Sequence, residues 1–181
     1  MSTRISVVLI AVGVGLWMAP PARAADLSGS SVTLEGFIGW QHLNIPAGSS
    51  AAASGLNADN AILGGDLLLK SSVFGIGAVV DKSLQSNGPW DGTVMAGLVF
   101  DVLPSLRLEA LAEGGRRGLD VSDWFKDSGR WIVGVRPGAS FRLMPTPVRF
   151  GVTVPIRWQT SGGDVGSPDY GFVGKVGIEL P

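Results

Sequence analysis

The sequence has one histidine, His42, and no cysteine. No thiol can attack, no thiolate can hold a metal, and one imidazole cannot complete an ordinary zinc site. No disulfide, no lipidated N-terminal cysteine, no metal and no cofactor are expected. The glycines of GIGAVV (75–80) lack the lysine and the helix that a phosphate loop needs. His42 opens HLN (42–44), and no spacing singles out an Asp or Ser partner for it. The residues that do form a pattern are charged. Glu35, Asp66, Asp81, Asp101, Glu109, Glu113 and Glu179 recur at alternate positions of otherwise apolar segments, and so do Lys70, Arg107, Arg136, Arg142, Arg149, Arg157 and Lys175. Seven acids against seven bases is the balance of groups that neutralise one another in a confined space.

The elements that carry them alternate with period two, which is the mark of a two-faced strand. In PVRFGVTVPIRW (147–158), Val148, Phe150, Val152, Val154, Ile156 and Trp158 share one face and the two arginines take the other. Eight such segments are expected, at 31–43, 60–70, 73–82, 92–102, 105–115, 130–143, 147–159 and 169–180. Each is near the roughly 9–11 residues that a tilted strand needs to cross a bilayer. The connections SS (71–72), LP (103–104) and MPT (144–146) are short. Those at 44–59, 83–91, 116–129 and 160–168 are long. Turns are therefore short at one end and long at the other, as in an up-and-down barrel. No charge is expected on the apolar face within the strands.

Length and composition set the frame. The 181 residues suit one domain. Only 16% are charged, against about 25% in soluble domains, and a net charge of −1 gives no case for nucleic acid. Residues 1–24 read as a cleaved secretory signal: Arg4, an apolar run (5–18), and ARA (22–24) before the cut. The mature domain is then 25–181.

Parity separates two faces without saying which is inside. A soluble lipocalin-like barrel turns the apolar face in, and a membrane barrel turns it out. Three features favour the membrane. Aromatics gather at strand ends, with Trp40, Trp131, Trp158 and Tyr170 at the long-loop end and Phe74, Phe100 and Phe141 near the short turns, like two interfacial belts. The polar face is rich in glycine, which leaves room for long side chains. Its charges balance, and each Arg or Lys facing lipid near the midplane would cost about 2–4 kcal/mol.

On these segments and on the final strand YGFVGKVGIEL (170–180), the chain resembles the small eight-stranded outer-membrane barrels of the OmpA transmembrane-domain and OmpX type. The resemblance implies an all-β antiparallel barrel in a Gram-negative-type outer membrane, with membrane lipid and the barrel-assembly machinery as partners. The chain departs from it by ending Leu180-Pro181 in place of an aromatic. Barrels of this architecture that deacylate lipid A carry a His-x-Ser motif, and here HLN has no serine in place. The expected role is structural or surface-interacting, not enzymatic. The arginines at 107, 136, 142, 149 and 157 would plug the lumen against Glu35, Glu109, Glu113 and Asp101, with Arg107 and Glu109 as close neighbours on one strand. A narrow solute channel and a lipid-modifying enzyme are the alternatives. Trp124 and Phe125, in the third long connection, are candidate contacts, and the first long connection is expected to be mobile. Pro137 and Pro155 predict a bulge or gap between the sixth and seventh strands, toward the outer half.

Overall fold

The computed structural model describes residues 29–45, 56–125, 130–161 and 164–181, without the side chains of 123, 161, 164 and 165. The signal segment and most of the first long connection lie outside the described residues. The strands are β1 (Ser30–His42), β2 (Asp59–Ser71), β3 (Phe74–Ser83), β4 (Trp90–Asp101), β5 (Leu106–Gly118), β6 (Arg130–Arg142), β7 (Val148–Thr153), β8 (Ile156–Ser161), β9 (Asp164–Val165) and β10 (Asp169–Leu180). Val121–Phe125 form a 3-10 turn between β5 and β6.

Neighbours in sequence pair antiparallel from β1 to β6, and β10 returns to β1, from Val32↔Leu180 to His42↔Tyr170. The sheet thus closes on itself into a barrel. β7 and β8 are the two halves of one barrel strand, lying between β6 and β10. β9 pairs with β8 alone, Thr160↔Val165 and Ser161↔Asp164. The architecture is an eight-stranded antiparallel barrel.

The interruption at Val154–Pro155 is the expected gap, but it is central rather than in the outer half. On β6, Trp131 to Val135 pair with β8, Gly138 to Arg142 pair with β7, and Arg136 and Pro137 lie between. No residue is bulged out, because the register is the same on both sides. The prolines explain the missing rungs. Val154 N–H donates to Pro137 O (2.9 Å) and Gly171 N–H to Pro155 O (3.0 Å), and neither proline has an N–H to return the bond.

The short connections are wider than the sequence suggests at two of three places, spanning 102–105 and 143–147. The third is a two-residue hairpin loop at Ser72–Val73, where Ser72 takes a positive φ of 57°.

The faces fall as the alternation requires. Leu34, Ile38, Leu67, Ile76, Val94, Val133, Phe172 and Ile178 are exposed on the outside, and every acid and base of the expected set projects inward, where all but Asp101 and Arg142 are buried. That arrangement overturns the lipocalin-like alternative. The interior is not uniformly polar. Phe37, Ile62, Leu68, Val79, Met95, Val99, Leu111 and Val173 form an apolar cluster within it. All of its members but Val173 come from β1 to β5, and charged side chains of the same strands, among them Glu35, Asp66, Asp81 and Glu113, stand beside them.

Candidate functional site

The lumen is organised as three charged layers. At the short-turn end, four bases share two acids. Asp101 accepts from Lys70 (2.7 Å) and from Arg107 Nε (2.9 Å), and lies 3.7 Å from Arg149. Glu179 receives Arg107, Arg149 Nε (2.7 Å) and the Ser31 hydroxyl (2.8 Å), with Arg142 at 3.9 Å. Arg107 also donates to the Thr33 hydroxyl. This layer is wet at its edge, since the Asp101 side chain is 30% exposed.

In the middle, Lys175 Nζ bridges Glu35 (2.6 Å) and Glu109 (2.8 Å). Asp66 is the register partner of Glu35. Space for the long side chains comes from glycine. A Cβ on Gly177 would stand 2.6 Å from Glu35 Cγ, and one on Gly151 would stand 3.0 Å from Lys175 Cε. Arg136 is 3% exposed and lies over the Phe37 ring at 5.1 Å. Its three guanidinium nitrogens have no hydrogen-bond acceptor among the described residues.

At the long-loop end, two arginines hold four carboxylates. Arg157 on β8 reaches across to Asp81 (2.8 Å), Asp91 (2.9 Å) and Glu113 (2.8 Å), on β3, β4 and β5. Arg117 donates to Asp91 (2.6 Å) and to Asp169. Thr93 completes the knot with a bond to Glu113 (3.3 Å). All these side chains are buried, so each charge relies on its partners rather than on water.

The structure therefore brings the expected charges together but changes their pairing. Arg107 and Glu109 do not meet: the first goes to Asp101 and Glu179, the second to Lys175 and Ser140. Glu35 goes to Lys175, and Arg136 makes none of the described ion pairs. Asp91, Arg117 and Asp169 were missed. β4 begins at Trp90 and β5 runs on to Gly118, so the inward parity of Thr93 extends to Asp91 and that of Glu113 to Arg117. Asp169 has the parity of Gly171 and could have been read in the same way.

The outer rim also departs from expectation. Lys82, at the end of β3, shares the apolar face, and its Nζ lies 4.9 Å from the centre of the Trp90 ring. Arg116 stacks 4.7 Å over Trp131. Trp40, Trp131, Tyr170, Phe74, Phe100 and Phe141 are exposed on the outside, and Trp158 is half-buried. Trp124 and Phe125 part company. Trp124 folds onto the barrel and donates Nε1–H to Trp90 O (3.2 Å), whereas Phe125 is 88% exposed. His42 stacks on Tyr170 at 5.0 Å, beside Trp40, and its Nδ1 is 3.0 Å from Asp59. No serine hydroxyl is bonded to it among the described residues. No cluster of three His, Cys, Asp or Glu residues fit for a metal occurs among them either.

No protein-family model and no curated protein matches the sequence. Solved structures match the fold. Neisserial surface protein A (NspA) is 13% identical, with 84% of this chain and 98% of that one covered and a TM-score of 0.56. The N-terminal β-barrel domain of Pseudomonas aeruginosa OprF is 12% identical, with 83% and 97% covered and a TM-score of 0.55. A de novo designed transmembrane β-barrel is 10% identical, with 83% and 95% covered and a TM-score of 0.50. The chain has the fold of the small eight-stranded outer-membrane barrels.

Proposed function

We propose that the protein is an integral outer-membrane barrel with a closed lumen, acting as a rigid support for surface interaction through its long connections. What carries the closed lumen is Arg157, whose one guanidinium ties β8 to three strands on the other wall. Eight strands enclose an interior that side chains can fill, and here ion pairs and an apolar cluster divide that interior between them. Support for the membrane is the exterior, apolar over strands of 10–13 residues such as β1 and β3 and able to meet lipid without stranding a charge at mid-height. Outer-leaflet lipid is then the solvent of the barrel wall. The alternating end of β10, Val176, Ile178 and Leu180, is the segment offered to the barrel-assembly machinery. His42 is read as an interfacial residue packed against Tyr170, so no catalysis is assigned.

A narrow solute path is the second reading. Arg136 favours it, because a buried guanidinium without acceptors calls for water in the middle of the lumen. Two measurements decide. Heat-modifiable migration after detergent extraction tests the inserted barrel, and a protein that stays soluble without detergent overturns it. Planar-bilayer recording tests the closure: a silent bilayer is expected, and reproducible ion steps replace the plug with the channel.

A further inference from the structure

Two of the three short connections end the barrel in hydrocarbon. Val102-Leu103-Pro104 follows β4, and Leu143-Met144-Pro145 follows β6. Val102 and Leu143 continue the outward parity of Phe100 and Phe141, one outward position beyond each, and Leu103 and Met144 come next in the turns. All four side chains are exposed, Leu103 at 55% and Met144 at 56%. Neither connection, 102–105 or 143–147, contains a charged residue. The third connection differs. Beyond Leu69 the next outward residue of β2 is Ser71, followed by Ser72, and the partner of Ser71 on β1 is Ser30.

The wall above the two apolar turns matches them. Leu106, Ala139, Phe141, Phe150 and Val152 line a shallow groove of about 320 Å³ on the outside, which begins at the outward position next to Leu143. Apolar surface therefore runs from mid-wall to the turns over β4 to β7. The charged groups of this end, Lys70, Asp101, Arg107, Arg142, Arg149 and Glu179, project into the lumen and pair with one another. The turn backbones are also largely self-sufficient. The amides of Val102, Leu103 and Leu106 bond within the first connection, and those of Leu143 and Thr146 within the second. Arg142 N–H donates to Ser105 O (2.7 Å) and ties one connection to the other. Pro104, Pro145 and Pro147 have no N–H to strand. Turns bonded in this way lose less on leaving water than open loops, whose free amides need it.

We propose that these two turns are immersed in the periplasmic leaflet, where phospholipid acyl chains cover Val102, Leu103, Leu143 and Met144, while the Ser71–Ser72 turn stays in water; the inference rests on the membrane reading above, with short turns on the periplasmic side. The hydrocarbon boundary then runs obliquely around this end of the barrel, farther out under β4 to β7 than under β1 to β3. Lipid is the occupant that the surface selects. The patch prolongs the wall that lipid already covers, carries no charge to orient a polar partner, and keeps its backbone bonded. The two turns thereby set the lean of the barrel in the bilayer.

The sequence has no cysteine, so single substitutions can be labelled cleanly. Leu103→Cys, Met144→Cys, Ser71→Cys and Ile76→Cys, each with one environment-sensitive fluorophore, are folded at high lipid excess into phosphatidylcholine vesicles. Quenching by lipid brominated along its acyl chains is compared with quenching by iodide present on both sides of the membrane. Labels at 103 and 144 should be quenched several-fold more by the lipid than by iodide, and the label at 71 several-fold more by iodide. Ile76, 60% exposed on the outer wall, should respond to the lipid. Iodide-dominated quenching at 103 and 144, with position 76 in lipid, overturns the immersion and leaves the membrane reading standing. Iodide-dominated quenching at 76 sinks the membrane reading itself. A lipid response at 71 equal to that at 103 overturns the oblique boundary. Protection from both quenchers that disappears on diluting the protein in lipid assigns the turns to a second copy and overturns the lipid cover. Each labelled protein is first checked for heat-modifiable migration, and where Leu103→Cys or Met144→Cys fails, Val102→Cys or Leu143→Cys in the same turn takes its place.

Discussion

The two ends of the lumen are built from the same residue types with opposite bookkeeping. At the short-turn end Lys70, Arg107, Arg142 and Arg149 crowd around Asp101 and Glu179. At the long-loop end Asp81, Asp91, Glu113 and Asp169 crowd around Arg117 and Arg157. Solvent access separates them further. Asp101 and Arg142 are 30% and 34% exposed in their side chains, whereas those of Arg157, Asp81 and Asp91 are at most 3% exposed. Water borders Asp101 and Arg142 at the first end, although Arg107, Arg149 and Glu179 beside them are buried, and no member of the second knot has comparable access. The lumen is thus polarised along its axis, and its long-loop end depends on few cations.

Mutations that remove one ion from each end test this difference. Arg157→Met strips Asp81 and Glu113 of the arginine that they share, and should cost about 3–5 kcal/mol in urea unfolding from lipid vesicles. Glu179→Gln should cost less, about 1–3 kcal/mol, because Arg107 keeps Asp101. Equal losses for the two would erase the distinction between the ends. Lys70→Met should cost about 1 kcal/mol or less, since its acid is part exposed and still holds Arg107. Raising salt to about 1 M, where the screening length is near 3 Å, should abolish the Lys70 effect in the same assay and leave the Arg157 effect in place. An Arg157 effect that shrinks with salt would show that the upper knot is wet.

Some of this was legible in the residues and some was not, for physical reasons. Strand number and face assignment follow from a period of two, which a buried and a lipid-facing side enforce at every position. Partners do not follow, because a long arginine chooses among strands that only closure brings opposite: β8 meets β3 inside the lumen, far from its ladder neighbours. Arg107 and Glu109, two apart on one strand, take different partners for that reason. Apolar alternation fades at 92 and 115, which hides Asp91 and Arg117. Those strands run past the apolar band with inward parity intact. Trp124 was legible as an aromatic in a loop, but its resting place was not, since only the bare outer face of Gly92 in the folded wall shows where an indole can lie.

The constant register across the two prolines has a mechanical meaning. Girth and tilt in a closed barrel are set by strand number and stagger, and the stagger is the same before and after the gap, with Gly138↔Thr153 and Val135↔Ile156 in step. The missing rungs soften one seam of the hoop without changing its circumference. A single residue inserted between Val154 and Pro155 would do the reverse. It would keep the strand but invert everything after it, aiming Arg157 at hydrocarbon and Trp158 into the knot that Arg157 now ties.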